Sequence, residues 1–273
     1  MTDTPPNPPL VCFHNHLVPG VDDGARSAEE ARDALLAMRD LGVRRLVATP
    51  HLSGELTERP AALERRLEEI DAGWDRLLGV ADAAPEVTLS RGAEIMLDTP
   101  RPRLDDPRLR LGGGSAVLVE FSWGGLPPRV EDLLHELKAG GARPVAAHPE
   151  RYREMRGRGV ERIEEWRRLG VVIQVNAGSI TGRYGREVER TAWTLLERGW
   201  VDAVCSDFHP RPGHAPLLGK AYEALLEVGA EEQAGLLFSV NPGRVLDGEE
   251  PEPVPPVRRG LLQSLRRRLA RRG

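Results

Sequence analysis

The sequence is poor in features that would place it in most specialised classes. It has only two cysteines, Cys12 and Cys205, too few for a disulfide scaffold, so a reducing cytoplasm is the expected setting. No run of about 18 apolar residues is present to span a membrane. The first ten residues, MTDTPPNPPL, have neither a basic start nor an apolar core, and no secretory leader is expected there. No repeat of about 20–50 residues recurs, which excludes solenoids and propellers. Lysine is nearly missing: Lys138 and Lys220 stand alone among arginines, a bias we attribute to composition and not to function. Acid is missing from one stretch. Residues 254–273 carry seven arginines (258, 259, 266, 267, 268, 271 and 272) and no carboxylate. With a net charge of −4 overall and +7 in that tail, the rest of the chain carries −11. An acidic body argues against nucleic-acid binding, whereas the basic tail suits an anionic membrane or an acidic partner.

What remains is ordinary for a globular protein: 273 residues, 40% hydrophobic and 29% charged. Such a length fits two average domains, or one α/β barrel of about 250 residues with a tail. The hydrophobic pattern favours the barrel, because short apolar runs alternate with helical stretches. Strands are expected at LVCF (ending at Phe13) and at 43–48, 87–92, 115–121, 142–147, 171–175 and 201–206. Helices are expected from Ser27 to Met38 and over 60–78, 129–139, 160–169 and 185–198, with a helical pair over 215–239. Ser27, with Glu30 three residues on, reads as an N-terminal cap. The expected boundaries are one domain over residues 10–247, then a proline-rich linker (EEPEPVPP) and basic tail over 248–273, the linker projecting from the domain.

The informative pattern lies at the strand ends. His14-Asn15-His16 follows the first run and Pro50-His51 the second. The third runs into Glu94, the fourth holds Glu120 and the fifth runs into His148. The sixth ends at Asn176 and the seventh reaches Asp207-Phe208-His209. Active sites of α/β barrels gather at the carboxyl ends of the strands, so these residues should converge. Five of the seven histidines stand in this set. The pairs His14/His16 and Asp207/His209, spaced by two, point to one side of an extended segment. Mixed imidazole and carboxylate ligands suit zinc, manganese or iron. Asp22 and Asp23, in the first loop, are further candidates, and the number of ligands allows two or three ions, with Glu94 as a bridge.

Other motifs carry less. Cys205 and Arg211 show the C-x5-R spacing of thiol-based phosphatases, but Pro210 removes a backbone donor and Asp207 would repel a phosphate, so we read the spacing as coincidence. Glycines 112–114 lack the lysine of a phosphate-binding loop and read as a turn. His135 and His214 are expected at the surface. Leu261, Leu262, Leu265 and Leu269 recur among the tail arginines at near-helical spacing, compatible with a membrane-surface helix or a solvated tail.

Taken together, H14-N-H16, P-G-V-D-D23-G24, A-T-P-H51, G-A-E94-I, V-E120-F-S, A-H148-P-E-R151, Q-V-N176-A-G-S and S-D207-F-H209 resemble the PHP (polymerase and histidinol phosphatase) superfamily over about residues 10–246. Within it they are most similar to the bacterial metal-dependent protein-tyrosine phosphatases of the capsule and exopolysaccharide (CpsB/YwqE-like) group. The resemblance implies a distorted (β/α)7 barrel with three divalent ions, manganese above all, with iron or zinc as alternatives. It implies that His14, His16, Glu94 and Asp207 hold the first ion, Glu94, Glu120 and His148 the second, and Asp23, His51 and His209 the third. Arg151 matches the phosphate-gripping arginine, and Arg211 is the candidate for a second one. Cys12-Phe13 departs from the group, which has an aspartate just before the first histidine. The implied reaction is attack of a metal-bound hydroxide on protein phosphotyrosine, the substrate being a bacterial tyrosine kinase of polysaccharide export. The rivals are a small-molecule phosphatase such as histidinol-phosphate phosphatase, a PHP exonuclease, disfavoured by the acidic body, and a non-catalytic metal-stabilised module that docks a kinase.

Overall fold

The computed structural model describes residues 9–259 apart from 123, 124 and 212. Among the described residues there are nine strands: β1 (Leu10–Cys12), β2 (Val43–Ala48), β3 (His51–Ser53), β4 (Thr88–Arg91), β5 (Glu94–Met96), β6 (Ala116–Glu120), β7 (Arg143–Ala147), β8 (Val172–Asn176) and β9 (Ala203–Cys205). All their pairings are parallel, in a three-stranded sheet ordered β1-β2-β4 and a six-stranded sheet ordered β3-β5-β6-β7-β8-β9. The strands β6 and β8 are buried along their whole length, as helices on one side and the core on the other require.

The main helices are α1 (Ala28–Asp40), α2 (Pro60–Leu78), α3 (Val130–Ala139), α4 (Arg162–Arg168), α5 (Ala177–Ile180), α6 (Arg186–Glu197), α7 (Leu218–Leu226), α8 (Glu231–Gly235) and α9 (Asn241–Leu246). The expected cap forms: the Ser27 hydroxyl accepts the Glu30 amide at 3.2 Å, and Ala31, Ala34, Leu35 and Met38 make the buried stripe of α1. In α2, a Cβ on Gly73 would meet side-chain atoms of Val21 and Val18 at 2.6 and 2.8 Å. Glycine there lets the loop carrying Asp22 and Asp23 lie against the helix. Among the described residues, no helix is long and apolar enough to cross a membrane.

The strands expected over 43–48 and 87–92 form as β2 and β4, and each is followed by a short strand that was not expected, β3 after Thr49–Pro50 and β5 after Gly92–Ala93. Pro50 has no amide to continue a ladder. A Cβ on Gly92 would come within 3.2 Å of the Leu111 backbone. The strands β2 and β4 lie in the small sheet and β3 and β5 in the large one, which brings His51 into register with Glu94. The expected alternation and parallel pairing therefore hold, but the ladder is not one continuous barrel. Among the described residues the seam between β1 and β9 is an isolated Asn15–Phe208 bridge, with Asp207 N donating to His14 O at 2.9 Å and His16 N to Phe208 O at 3.0 Å.

The proline-rich segment differs from expectation. It lies on the domain, with Val254 and Val257 buried and Val257 N donating to Leu196 O at 3.0 Å. Asn241 clasps the backbone of Glu252 through both ends of its side-chain amide, at 2.7 and 2.9 Å. Gly199, with φ 65°, is approached by Val254 O at 2.5 Å from where a Cβ would stand. Proline fixes an extended path but does not decide whether the path is covered, and here valines between the prolines supply apolar contacts. The leucine-arginine tail from residue 260 lies outside the described residues.

Candidate metal centre

The strand-end residues converge. His14 and His16 follow β1, His51 and Glu94 open β3 and β5, Glu120 closes β6, His148 follows β7, and Asp207 and His209 follow β9. Among the described residues, three groups have donor atoms close enough to hold a cation: His14, His16, Glu94 and Asp207; His51, Glu94 and Glu120; and His16, Asp23, His51 and His209. The groups share members. Glu94 belongs to the first two, His51 to the last two, and His16 to the first and third.

Distances give the arrangement. His14 Nε2 lies 3.1 Å from Glu94 Oε1 and 3.4 Å from Asp207 Oδ1. His16 Nε2 lies 3.2 Å from Glu94 Oε2 and 3.4 Å from the same Asp207 oxygen. His51 Nδ1 is 3.1 Å from both Glu94 Oε2 and Glu120 Oε1. Asp23 Oδ1 stands 3.2 Å from His209 Nε2 and 3.5 Å from His51 Nε2. His148, expected with Glu94 and Glu120, places Nε2 2.9 Å from Glu94 Oε1 and 3.8 Å from Glu120 Oε2, and His51 stands beside the same two carboxylates.

These residues fit divalent ions. His14 Nε2, His16 Nε2, His51 Nδ1 and Glu94 Oε2 are buried and make no hydrogen bond, although they lie within 3.4 Å of one another's partners. A buried polar atom left so costs about 1–3 kcal/mol, and four aimed at common points indicate a cation as the missing partner. The field agrees. Burial alone would lower the His14 pKa, but Glu94 and Asp207 outweigh it and hold it at about 9. Burial likewise opposes charge on His16, yet Asp207, Asp22 and Glu94 keep it well above its ordinary value. Against their own desolvation, Glu94 and Asp207 are held well below the carboxylate range by these histidines. His209, whose ring stacks on His16 at 3.8 Å, is pushed down by burial and by the charge on His16.

A supporting layer orients the donors, as metal-ligating histidines require. Gln174 Oε1 faces His14 Nδ1 at 2.9 Å, and Asp22 Oδ2 faces His16 Nδ1 at 2.8 Å while accepting the His51 amide at 3.0 Å. Asn176 Nδ2 donates to Asp207 Oδ2 at 2.6 Å and its Oδ1 accepts from Gln174 Nε2 at 2.9 Å, so both ends of the amide are engaged in supporting contacts. Gln174 was not expected; its signal was its place two residues before Asn176, on the same face of β8. His148 and Asp207 both adopt positive φ, 37° and 47°, a strained conformation for non-glycine residues that is found at functional sites.

A cleft of about 740 Å³ opens over this centre, lined among others by Arg151, Arg183, Tyr184, Arg211 and Lys220. Arg151 ends a one-turn 3-10 helix, Pro149–Arg151, anchored by the buried Glu150, which accepts the Asn176 amide at 3.0 Å and the Ser179 hydroxyl at 2.5 Å. Its guanidinium donates to Asp207 Oδ2 at 2.8 Å and lies 4.3 Å from the Tyr184 ring centroid. Tyr184 escaped the sequence reading, since a lone aromatic in a loop carries no pattern. Arg211 reaches from the other side, donating to Gly24 O at 2.9 Å, with Asp23 Oδ2 at 3.5 Å. Cys205 is fully buried beneath, and burial pushes its thiol well above the ordinary value, which removes it as a nucleophile. The Cys12 thiol, where the resembled group has an aspartate, faces the Ser206 hydroxyl at 3.3 Å. His135 and His214 are exposed, as expected.

Known proteins share this architecture. The family model for capsular polysaccharide synthesis, CpsB/CapC, matches residues 10–247. The tyrosine-protein phosphatase YwqE of Bacillus subtilis (strain 168) is 27% identical over 201 residues, 73% of this chain and 77% of that protein. The tyrosine-protein phosphatase CpsB of Streptococcus pneumoniae is 27% identical over 252 residues, 87% of this chain and 98% of that protein. A crystal structure from the work on YwqE and CpsB, characterised as unique metal-dependent tyrosine phosphatases, superimposes with a TM-score of 0.72 at 26% identity, covering 92% of this chain and all of that one. The phosphotriesterase homology protein of Escherichia coli shares the fold, with a TM-score of 0.56 at 12% identity over 86% of this chain and 98% of that one. With its whole strand-and-ligand framework inside the matched region, this chain belongs to the CpsB/CapC family of capsular polysaccharide synthesis.

Proposed function

We propose that the protein is a metal-dependent protein-tyrosine phosphatase. The observation that carries this reading is the set of three donor groups sharing Glu94, His16 and His51 beneath a cleft that also presents Arg151. Three shared-vertex groups suit three ions, and their imidazole-carboxylate mixture suits manganese, with iron or zinc as alternatives. Such ions, when bound, neutralise phosphoryl oxygens and supply a nucleophilic water at neutral pH. The protein's own residues do the rest. Arg151 offers charged donors to the equatorial phosphoryl oxygens, and Arg211 is placed to do so from the opposite wall. Asp207 and Tyr184 hold Arg151 in place, and Gln174, Asp22 and Asn176 fix the ring and carboxylate orientations. The phenolate released from phosphotyrosine, with a pKa near 10, is a tolerable leaving group.

The fold reading that accompanies this function is a distorted (β/α)7 barrel, supported by the Asn15–Phe208 bridge between the two sheet edges. The substrate we favour is a phosphorylated tyrosine kinase of polysaccharide export, and the setting the cytoplasm, where Cys12 and Cys205 stay reduced. The arginine-rich tail adds a peripheral contact with anionic membranes, tested by vesicle co-sedimentation at low and high salt. Turnover of a phosphotyrosine peptide, a phosphoserine peptide and histidinol phosphate, with and without manganese, tests the activity. Manganese-dependent preference for the first supports the reading; preference for histidinol phosphate overturns it.

A further inference from the structure

The cleft segregates its charges. Among the described residues that line it, the carboxylates are Asp23, Glu120 and Asp207, and each belongs to an ion-binding group. The cations are Arg151, Arg183, Arg211 and Lys220. Two of these are already engaged: Arg151 with Asp207, and Arg211 with Asp23 and the Gly24 carbonyl. The other two are different. Among the described residues no carboxylate stands within ion-pair distance of Arg183 or Lys220, and Arg183 instead places Nη2 3.3 Å from His214 Nε2. These residues come from neighbouring segments, since α5 packs against α7, Arg183 lies three residues beyond α5 and Lys220 lies in the first turn of α7. That turn contains no acidic residue, so the charge of Lys220 is not balanced locally.

Two uncompensated cations and an imidazole thus face a cleft in a domain whose net charge is strongly negative. An acidic surface repels anionic chains, so an anionic peptide enters only where local cations reverse the field. The cleft, at about 740 Å³, lies in the upper part of the range for ligand pockets, which leaves room beside a phosphotyrosine for its neighbours in sequence.

We infer that Arg183, His214 and Lys220 form a second anion subsite, which binds the carboxylate or phosphate of a residue flanking the phosphotyrosine. The inference rests on the phosphatase reading and narrows its substrate to acidic or multiply phosphorylated segments. A charge-assisted contact of this kind changes affinity by about tenfold, and as an exposed interaction it weakens as salt screens it.

The test uses the full-length protein loaded with manganese and three phosphotyrosine peptides: one flanked by alanines, one by glutamates, one by a second phosphotyrosine. The wild type should show a kcat/KM about tenfold higher for at least one anionic peptide than for the alanine peptide, through a lower KM. Arg183→Ala combined with Lys220→Ala should abolish that preference while leaving turnover of a small aryl phosphate unchanged. Both side chains are exposed, so the double variant is expected to fold, and the aryl phosphate rate checks this. Which anionic peptide is preferred identifies carboxylate or phosphate as the ligand. Equal kcat/KM for all three in the wild type, or a preference that survives the double substitution, overturns the subsite while leaving the phosphatase reading intact. Lack of turnover of every phosphotyrosine peptide overturns both.

Discussion

Arg151 and Asp207 are locked together: a guanidinium nitrogen donates to Asp207 Oδ2 at 2.8 Å, while Oδ1 of the same carboxylate faces His14 and His16 at 3.4 Å. The arginine expected to grip phosphate is therefore tied to a residue of the ion-binding set. Asn176 holds the same Oδ2 at 2.6 Å, so Asp207 keeps one support when Arg151 is removed. Arg151→Ala should lower kcat by about 10²–10³ while metal content, measured by elemental analysis, stays close to that of the wild type. His148→Ala should instead lower metal content. Equal metal loss in both variants would make Arg151 structural.

The buried Cys205 thiol and the ion-binding centre beneath the cleft make opposite demands on inhibitors. A chelator should abolish phosphatase activity and manganese should restore it, whereas Cys205→Ser should retain most activity. An inactive Cys205→Ser variant together with chelator-resistant turnover would point back to thiol chemistry.

Tyr184 stacks on Arg151 and lines the cleft beside it. Replacing it with leucine keeps bulk but removes the ring face, worth about 0.5–2 kcal/mol to a partly desolvated cation. Tyr184→Leu should reduce kcat/KM about 3- to 30-fold, and Tyr184→Phe should restore it. Failure of the phenylalanine variant to restore activity would assign the effect to the hydroxyl.

Asp202, away from the centre, is predicted to set part of the pH dependence of stability. Its Oδ2 accepts the Ile173 amide at 2.8 Å, and burial pushes its carboxyl up to about 6 from an ordinary value near 3.8. An acid whose pKa is higher in the folded state favours folding when protonated. That contribution is complete below pH 4 and is lost as pH rises through 6. Asp202→Asn should therefore be more stable than the wild type at pH 8, by about 1–2 kcal/mol after discounting for partial exposure. The difference should vanish near pH 4. Urea unfolding at the two pH values measures it, and a pH-independent difference would rule out the titration.

Truncation separates the proline-rich segment from the tail. Ending the chain after Arg259 should leave the melting temperature unchanged. Ending it after Glu250 removes buried Val254 and Val257 and should cost about 2–4 kcal/mol, or on the order of 5–10 °C. Equal melting of both truncated forms would show that the segment adds nothing to the domain.

Much of the site was legible before folding. Histidine and carboxylate at the ends of successive apolar runs have no use in a hydrophobic core, so their type and position announced a metal centre. Strand alternation further placed His14 with His16, and Asp207 with His209, on common sides. The α/β class followed from the same periodicity, because strands buried on both faces must be apolar throughout.

Tertiary structure decided how these residues are grouped. Beyond the two expected strands β2 and β4, the chain turns at Pro50 and Gly92 into the short strands β3 and β5, which the apolar pattern did not announce. Their placement in the larger sheet sets His51, as well as the expected His148, beside Glu94 and Glu120. Asn176 reads as a ligand by its position but turns towards Asp207, and Gln174 and Asp22 become visible as supports only when the rings they orient are in place. Tyr184 meets Arg151 through a loop, and the valines of the proline-rich segment find Leu196 and Gly199 some sixty residues earlier. The chemistry of a side chain and its period along the chain are local properties that the sequence alone determined. Which side chains share an ion, an ion pair or an apolar contact depends on where distant backbone segments cross, and only the folded chain decided that.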